Sequence, residues 1–175
     1  QLEGTDSIVG NVTQIRYGLN NRLYARRAEG GGPSVAREIL TVSVQQSYYT
    51  DENAAQYDRQ FQTSFQGGDN PAPTNYSPVA LTLRAGPTSE LSGTLRAEYD
   101  TQFGALRTIS ADASIELSGW LHQTGGWSQR RFVDGLAGFD DPNFLDHYLN
   151  SYTSLRTQDN RIGGVYQFNY DVQRR

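Results

Sequence analysis

Residues 161–172 read RIGGVYQFNYDV, and every second position from Ile162 (Gly164, Tyr166, Phe168, Tyr170, Val172) is apolar, aromatic or glycine. Arg161, Gln167, Asn169 and Asp171 occupy most of the other set. A period of two is the signature of a β-strand, whose side chains alternate between two faces. One face of this strand meets water, so the question is whether the other meets a protein core or lipid.

The alternation recurs along the chain. In 12–27, Ile15, Tyr17, Leu19, Leu23 and Ala25 oppose Gln14, Arg16, Asn20, Arg22 and Arg26. In 37–50, Leu40, Val42, Val44 and Tyr48 oppose Thr41, Ser43, Gln45 and Ser47. Val79, Leu81, Leu83 and Ala85 (in 78–86) oppose Thr82 and Arg84; Leu91, Leu95, Ala97 and Tyr99 (in 90–101) oppose Glu90, Arg96, Glu98 and Asp100. Ile109, Ala111, Ala113, Ile115 and Leu117 oppose Ser110, Asp112, Ser114 and Glu116. Residues 119–130 and 147–157 read as strands with a diluted apolar face, Trp120 and Leu121 falling on opposite sides and Ser151 and Thr153 interrupting. With the closing stretch this makes eight strands and no clear helix, although DENAAQYDRQF has room for a turn or two. The class is all-β, and residues 1–175 are expected to form a single domain or part of one.

Composition excludes several classes. All 15 basic residues are arginine and the net charge is -4, which gives no electrostatic case for nucleic acid. There is no Cys, so the redox compartment is unreadable, and the absence of Met suggests a fragment or a processed chain. No apolar run is long enough for a transmembrane helix, and QLEGTDS lacks the apolar segment of a signal peptide. Transmembrane strands, by contrast, need only about 10 alternating residues each and disappear into a polar average such as this one.

The connections alternate as well. DENAAQYDRQFQTSFQGGDNPAPTNY, TQFGA and RFVDGLAGFDDPNFLD are the longer links, and AEGGGPSV, GPTS, SG and QDN the shorter ones, so up-and-down hairpins collect the long loops at one end. That is the arrangement of outer-membrane barrels. Tyr48, Tyr99 and Tyr170 fall on the apolar face near the long-loop end, where a membrane-interface girdle places amphipathic rings. The opposite face carries Arg16, Arg22, Arg26, Arg84, Arg96, Glu98, Asp112 and Glu116. A charge at the bilayer midplane costs about 2–4 kcal/mol, whereas a watery lumen tolerates it. A soluble β-sandwich also alternates, but these strands are longer than the usual ~5–6 residues of soluble sheets.

The lumen-facing arginines suit phosphate, because guanidinium forks pair with phosphate oxygens; equally, charges of opposite sign on neighbouring strands neutralise one another across the wall. His122 and His147 have no nucleophile motif beside them; with His122 imagined near Asp112 across strands, they read as polar strand positions rather than catalytic groups. Asp140, Asp141, Asn143 and Asp146 are oxygen ligands of the kind calcium takes, but their spacing does not match a calcium loop, and a turn built on Asp-Pro is the simpler reading. Gly30, Gly31 and Gly32 before Pro33 lack the Lys-Ser/Thr of a phosphate loop, and the acceptor tripeptides at Asn11 and Asn75 carry little weight. No catalytic residue, metal or cofactor is expected.

Several stretches are similar to a known family: NRLYARR (21–27), REILTVSVQQSYYTDENAAQYDRQFQTSF (37–65), SPVALTLRAGPT (77–88) and 126–171, which begins GWSQRRFVDGLAGFDDPNFLDHYLN and ends RIGGVYQFNYD. They resemble the β-barrel part of the outer-membrane LPS-assembly protein family LptD (OstA). The resemblance implies a segment from the later half of a very large antiparallel transmembrane barrel in the bacterial outer membrane. That barrel surrounds a plug lipoprotein (LptE-like), connects to periplasmic bridge components and delivers lipopolysaccharide to the outer leaflet. An inner-membrane ATPase supplies the energy, so the barrel itself is not an enzyme. Within the best-matching stretch, Tyr57, Asp58 and Arg59 form a loop cluster that an Asp-Arg pair would fold into the lumen. This stretch shows no counterpart of the family's jellyroll domain, of the cysteines seen in some members or of a terminal aromatic strand, so the resemblance leads to the expectation of a barrel segment.

Two alternatives stand beside this. One is a self-contained eight-stranded outer-membrane barrel, structural or adhesive. The other is a soluble carbohydrate-binding sandwich that uses Trp120, Trp127 and clustered tyrosines as stacking platforms. The membrane reading expects heat-resistant β-structure in detergent and aggregation without it.

Overall fold

The computed structural model describes residues 12–27, 34–52, 74–117, 119–136, 138–157, 159 and 161–173. Its strands are β1 (Gln14–Arg27), β2 (Val35–Tyr49), β3 (Val79–Ala85), β4 (Leu91–Asp100), β5 (Ala105–Leu117), β6 (Leu121–Arg130), β7 (His147–Arg156) and β8 (Gly163–Asp171). The only helical element among the described residues is a 3-10 turn, Pro142–Phe144. All eight strands lie in one sheet in the order β1-β2-β3-β4-β5-β6-β7-β8, and each pairs antiparallel with its neighbour in the chain. The fold is therefore all-β and up-and-down. No ladder joins β1 to β8 among the described residues, so the sheet is open, as a segment of a barrel wall would be. The single sheet also does not correspond to a sandwich, which needs two sheets packed face to face.

Register explains why the sequence pattern reads so clearly. Leu83 sits between Val42 and Leu95, and Leu95 between Leu83 and Ala111, so one apolar band crosses strand after strand. One residue along, Thr82 lies between Ser43 and Arg96, and Arg96 between Thr82 and Ser110. A slip of one residue in any pair would exchange the faces, so the chemistry of the two faces pins the register.

Among the described residues no second layer covers the apolar face. Ile15 (53%), Leu19 (69%), Leu23 (53%), Leu155 (47%), Tyr166 (64%) and Tyr170 (44%) are largely exposed on it. The buried hydrophobic residues among those described are Tyr49, Val133, Leu136 and Phe139, all near the long-loop end. Exposed apolar surface of this kind marks a face that a partner surface or lipid would cover.

Two irregularities interrupt the ladders. Between β1 and β2 the register shifts at Leu23/Tyr24, so that Leu23 faces Leu40 while Tyr24 faces Glu38. Ile39 is the extra residue, and beyond it the parity of β2 inverts: Glu38 joins the polar face and Arg37 the apolar one. Strict alternation expects the reverse. Arg37 lies at the short-turn end, where its Nη2 donates to the Thr88 carbonyl at 2.9 Å and the charge leaves the apolar band. The second shift, at Glu98/Tyr99, makes Arg107 the extra residue of β5. At Gly18 the strands approach so closely that a Cβ would lie 2.4 Å from the Val44 carbonyl oxygen, a backbone atom that cannot swing aside.

Candidate functional site: the charged face and its long-loop rim

The ladders bring Arg16, Arg22, Arg26, Arg84, Arg96, Glu98, Asp112 and Glu116 onto one face, spread over β1, β3, β4 and β5. Two of the arginines find acids across a strand pair. Arg96 Nη1 lies 2.9 Å from Asp112 Oδ1, and Arg22 Nη1 lies 3.8 Å from Glu38 Oε2. Glu38 also accepts from the Tyr24 and Thr41 hydroxyls, and Glu98 Oε2 accepts from Thr108 Oγ1 at 3.1 Å. The side chains of Arg16, Arg26, Arg84 and Glu116 make no hydrogen bond or ion pair to another described residue. Glu38 escaped the sequence reading because only the bulge at Ile39 brings it to this face. The Arg96–Asp112 pair is about half exposed on both sides, so it contributes little stability, at most about 1 kcal/mol.

The acidic and arginine residues of this face are concentrated on β1–β5. On β6, β7 and β8 the same face carries His122, Thr124, Gly126, Ser128, Tyr148, Asn150, Tyr152, Asn169 and Gln167, with Arg130 and Asp171 at the rim and Arg156 at the opposite end. His122 pairs with Glu116, not with Asp112, which faces Gly126. The imagined His122–Asp112 partnership is therefore absent, four residues of register separating the two along the ladder. His147 lies on the other face, where its Nε2 accepts from Trp127 Nε1–H at 2.8 Å. The two histidines thus share no site.

The long-loop rim gathers groups that periodicity alone does not connect, among them Arg107, Arg130 and Phe139. Asp100 is buried at the end of β4, where its Oδ1 accepts from the backbone N–H groups of Gln102 and Phe103 at 2.8 and 3.0 Å. Its Oδ2 lies 2.7 Å from Arg107 Nη2, in an ion pair only 13% and 7% exposed. Arg130 Nη2 stands 3.9 Å from Asp146 Oδ2. The guanidinium carbons of Arg107 and Arg130 lie 5.6 and 5.1 Å from the centre of the Phe139 ring. An Asp followed by a Gly-containing turn, D-T-Q-F-G, was the visible signal for the Asp100 cap; nothing local announced Arg107.

Two carboxylates of the acidic loop, Asp141 and Asp146, make internal bonds. Asp141 Oδ1 accepts from Asn143 N and Nδ2 at 2.8 and 3.0 Å and caps the 3-10 turn. Asp146 faces Arg130 and accepts from the Tyr148 hydroxyl at 3.3 Å. Among the described residues no group of three or more His, Asp or Glu side chains is arranged for a metal ion. Tyr57, Asp58 and Arg59 lie outside the described residues.

Register places Tyr48 opposite Ile15, Tyr99 opposite Leu106 and Tyr170 opposite Leu149, all on the apolar face at the long-loop end. The Tyr48 ring meets that of Tyr76 at 5.1 Å. Trp120 sits in the β5–β6 turn and Trp127 near the far end of β6, so they form no shared platform. At the short-turn end, the Asp159 carboxyl is held below the usual aspartate range, first by a hydrogen bond from the Thr157 hydroxyl and then by the Arg161 backbone N–H.

An open, up-and-down antiparallel wall with one uncovered apolar face and one charged face defines the structural class. The LptD family, LPS transport system D, matches residues 1–131, and the chain belongs to that family. It is a family of lipopolysaccharide-transport components, not of enzymes. The match ends at Arg131, just past β6, and β7 and β8 continue the same sheet beyond it. No curated protein matches the chain.

Proposed function

We propose that this chain is part of the wall of an outer-membrane β-barrel translocon that delivers lipopolysaccharide to the outer leaflet, with β1–β8 presenting their apolar face to lipid and their charged face to the lumen. The observation that carries the reading is the apolar face itself, continuous across strand pairs and covered by nothing else in the described structure. Lipid satisfies such a surface; water does not. Family membership supports the cargo, and the arginine-bearing face supports its phosphate groups as the feature recognised. In this reading Tyr48, Tyr99 and Tyr170 lie at the outer interface, the chain catalyses no bond chemistry, residues 1–175 act as one structural unit, and a plug lipoprotein and periplasmic bridge components are its partners.

Photocrosslinking tests it. A photoreactive residue replacing Arg84, in the intact barrel that contains this segment, is expected to give a lipopolysaccharide adduct that disappears when transport is de-energised. At neighbouring Leu83, on the opposite face, an adduct is expected to be independent of transport. Absence of the Arg84 adduct while transport proceeds would overturn the lumen assignment.

A further inference from the structure

The β6–β7 connection is an ordered element with its own core. Val133, Leu136 and Phe139 are buried against one another, with Phe103 and Ala105 packed onto them. Backbone bonds close the loop on itself: Val133 N to Phe139 O at 2.9 Å, Leu136 N to Val133 O at 3.2 Å, and Phe139 N to Leu136 O at 2.8 Å. Gly135 and Gly138 adopt φ of 72° and 81°, a left-handed conformation that glycine reaches without strain and that lets the segment turn back within so few residues.

Where this loop is anchored decides its role. Ala105 pairs with Asp100, and Arg130 pairs with Thr108 opposite Glu98, so Asp100, Ala105 and Arg130 all belong to the charged face. Phe139 is held against that face by both guanidiniums. Arg130 fixes the far end of the loop too, its N–H donating to Asp146 O at 2.8 Å and its Nη1 to Gly138 O at 3.5 Å. The loop therefore leans inward over the charged side of β4–β6 and away from the apolar side.

We propose that residues 131–136 and 138–146 form a strap across the long-loop mouth of the wall, latched by Phe139 between Arg107 and Arg130, which restricts entry of solutes to the charged face. The proposal rests on the reading of that face as a lumen. It assigns Asp100 the role of orienting Arg107, and Asp146 that of orienting Arg130, so that two cations share one ring. Phe139 is then the side chain whose removal frees the strap while leaving the strand ladders intact.

The test uses the intact barrel in whole cells. Residues 1–175 contain no cysteine, so Ser110→Cys, on the charged face beside Arg96 and Ser128, adds one reporter to this segment; Leu95→Cys, on the apolar face, is its counterpart. A membrane-impermeant maleimide added outside is expected to label Cys at 110 slowly in the parent and about tenfold faster with Phe139→Ala, the equivalent of a shift of about 1.4 kcal/mol in strap opening. Phe139→Leu keeps apolar volume without the ring; it is the second variant should Phe139→Ala assemble poorly, and it is expected to accelerate labelling less. Equal rates in the parent and in an assembled Phe139 variant would overturn the strap. Labelling of Cys at 95 but not at 110, in every background, would overturn the lumen reading itself, and the two failures are thereby distinguishable.

Discussion

Leu95→Arg is expected to block assembly of the sheet in a membrane, whereas Ser128→Arg leaves it almost unchanged. Leu95 lies mid-strand in β4 between Leu83 and Ala111, at the centre of the apolar band. In the proposed membrane wall an arginine there brings a charge toward the bilayer midplane, at a cost of about 2–4 kcal/mol, and it removes a leucine packed between two apolar neighbours. Ser128 lies between Ser110 and Tyr148 on the other face and is exposed, so an arginine there extends a surface that already carries several. Its effect should stay within about 0.5 kcal/mol. Heat-modifiable migration and denaturant unfolding in detergent measure both. Equal tolerance of the two substitutions would mean that the faces do not differ in environment.

The second large effect is expected at Asp100. Asp100→Ala removes the partner of Arg107 from a site where both side chains are largely buried, and it strips the acceptor from the N–H groups of Gln102 and Phe103. Removing one member of a buried pair costs about 3–5 kcal/mol, because the other is left charged and desolvated. Arg107 is already demanding, since its Nε is buried without a hydrogen-bond partner among the described residues. The loss should fall on the β4–β5 turn and the β6–β7 loop that packs on it. A double variant, Asp100→Leu with Arg107→Met, is expected to recover much of the loss, since well-packed apolar side chains often replace a buried ion pair at little cost. Denaturant unfolding of the three variants in detergent separates these outcomes; a double variant as unstable as Asp100→Ala would show that the backbone cap, not the ion pair, dominates.

Much of this architecture was legible in the sequence because the physics of a two-faced sheet is local. Side-chain parity is fixed by the pleat, so Leu40, Val42 and Val44 disclose their face without any knowledge of their partners, and the expected strands 12–27 and 147–157 end within two residues of Gln14–Arg27 and His147–Arg156. Parity fails where a residue is inserted. The bulge at Ile39 has no sequence signature in R-E-I-L, yet it exchanges the faces of Arg37 and Glu38 and supplies Arg22 with its acid. The rim was illegible for a different reason. Asp100, Arg107, Arg130 and Phe139 come from a strand end, a bulge, the next strand and a loop, and no periodicity connects them. The diluted pattern of β6 and β7 also has a visible cause: Gly125 faces Ser151 and Gln123 faces Thr153, so the apolar band passes through small and polar side chains there.

The central claim is that β4 has one face in lipid and one in water. Single cysteines placed in turn from Ser92 to Glu98 in the intact barrel, probed with a water-soluble maleimide and with a quencher carried on lipid tails, test it most directly. The expected result is strict alternation: positions 92, 94, 96 and 98 react from water, and positions 93, 95 and 97 respond to the lipid-borne quencher. Uniform labelling along the strand, or alternation in the opposite phase, would contradict the account.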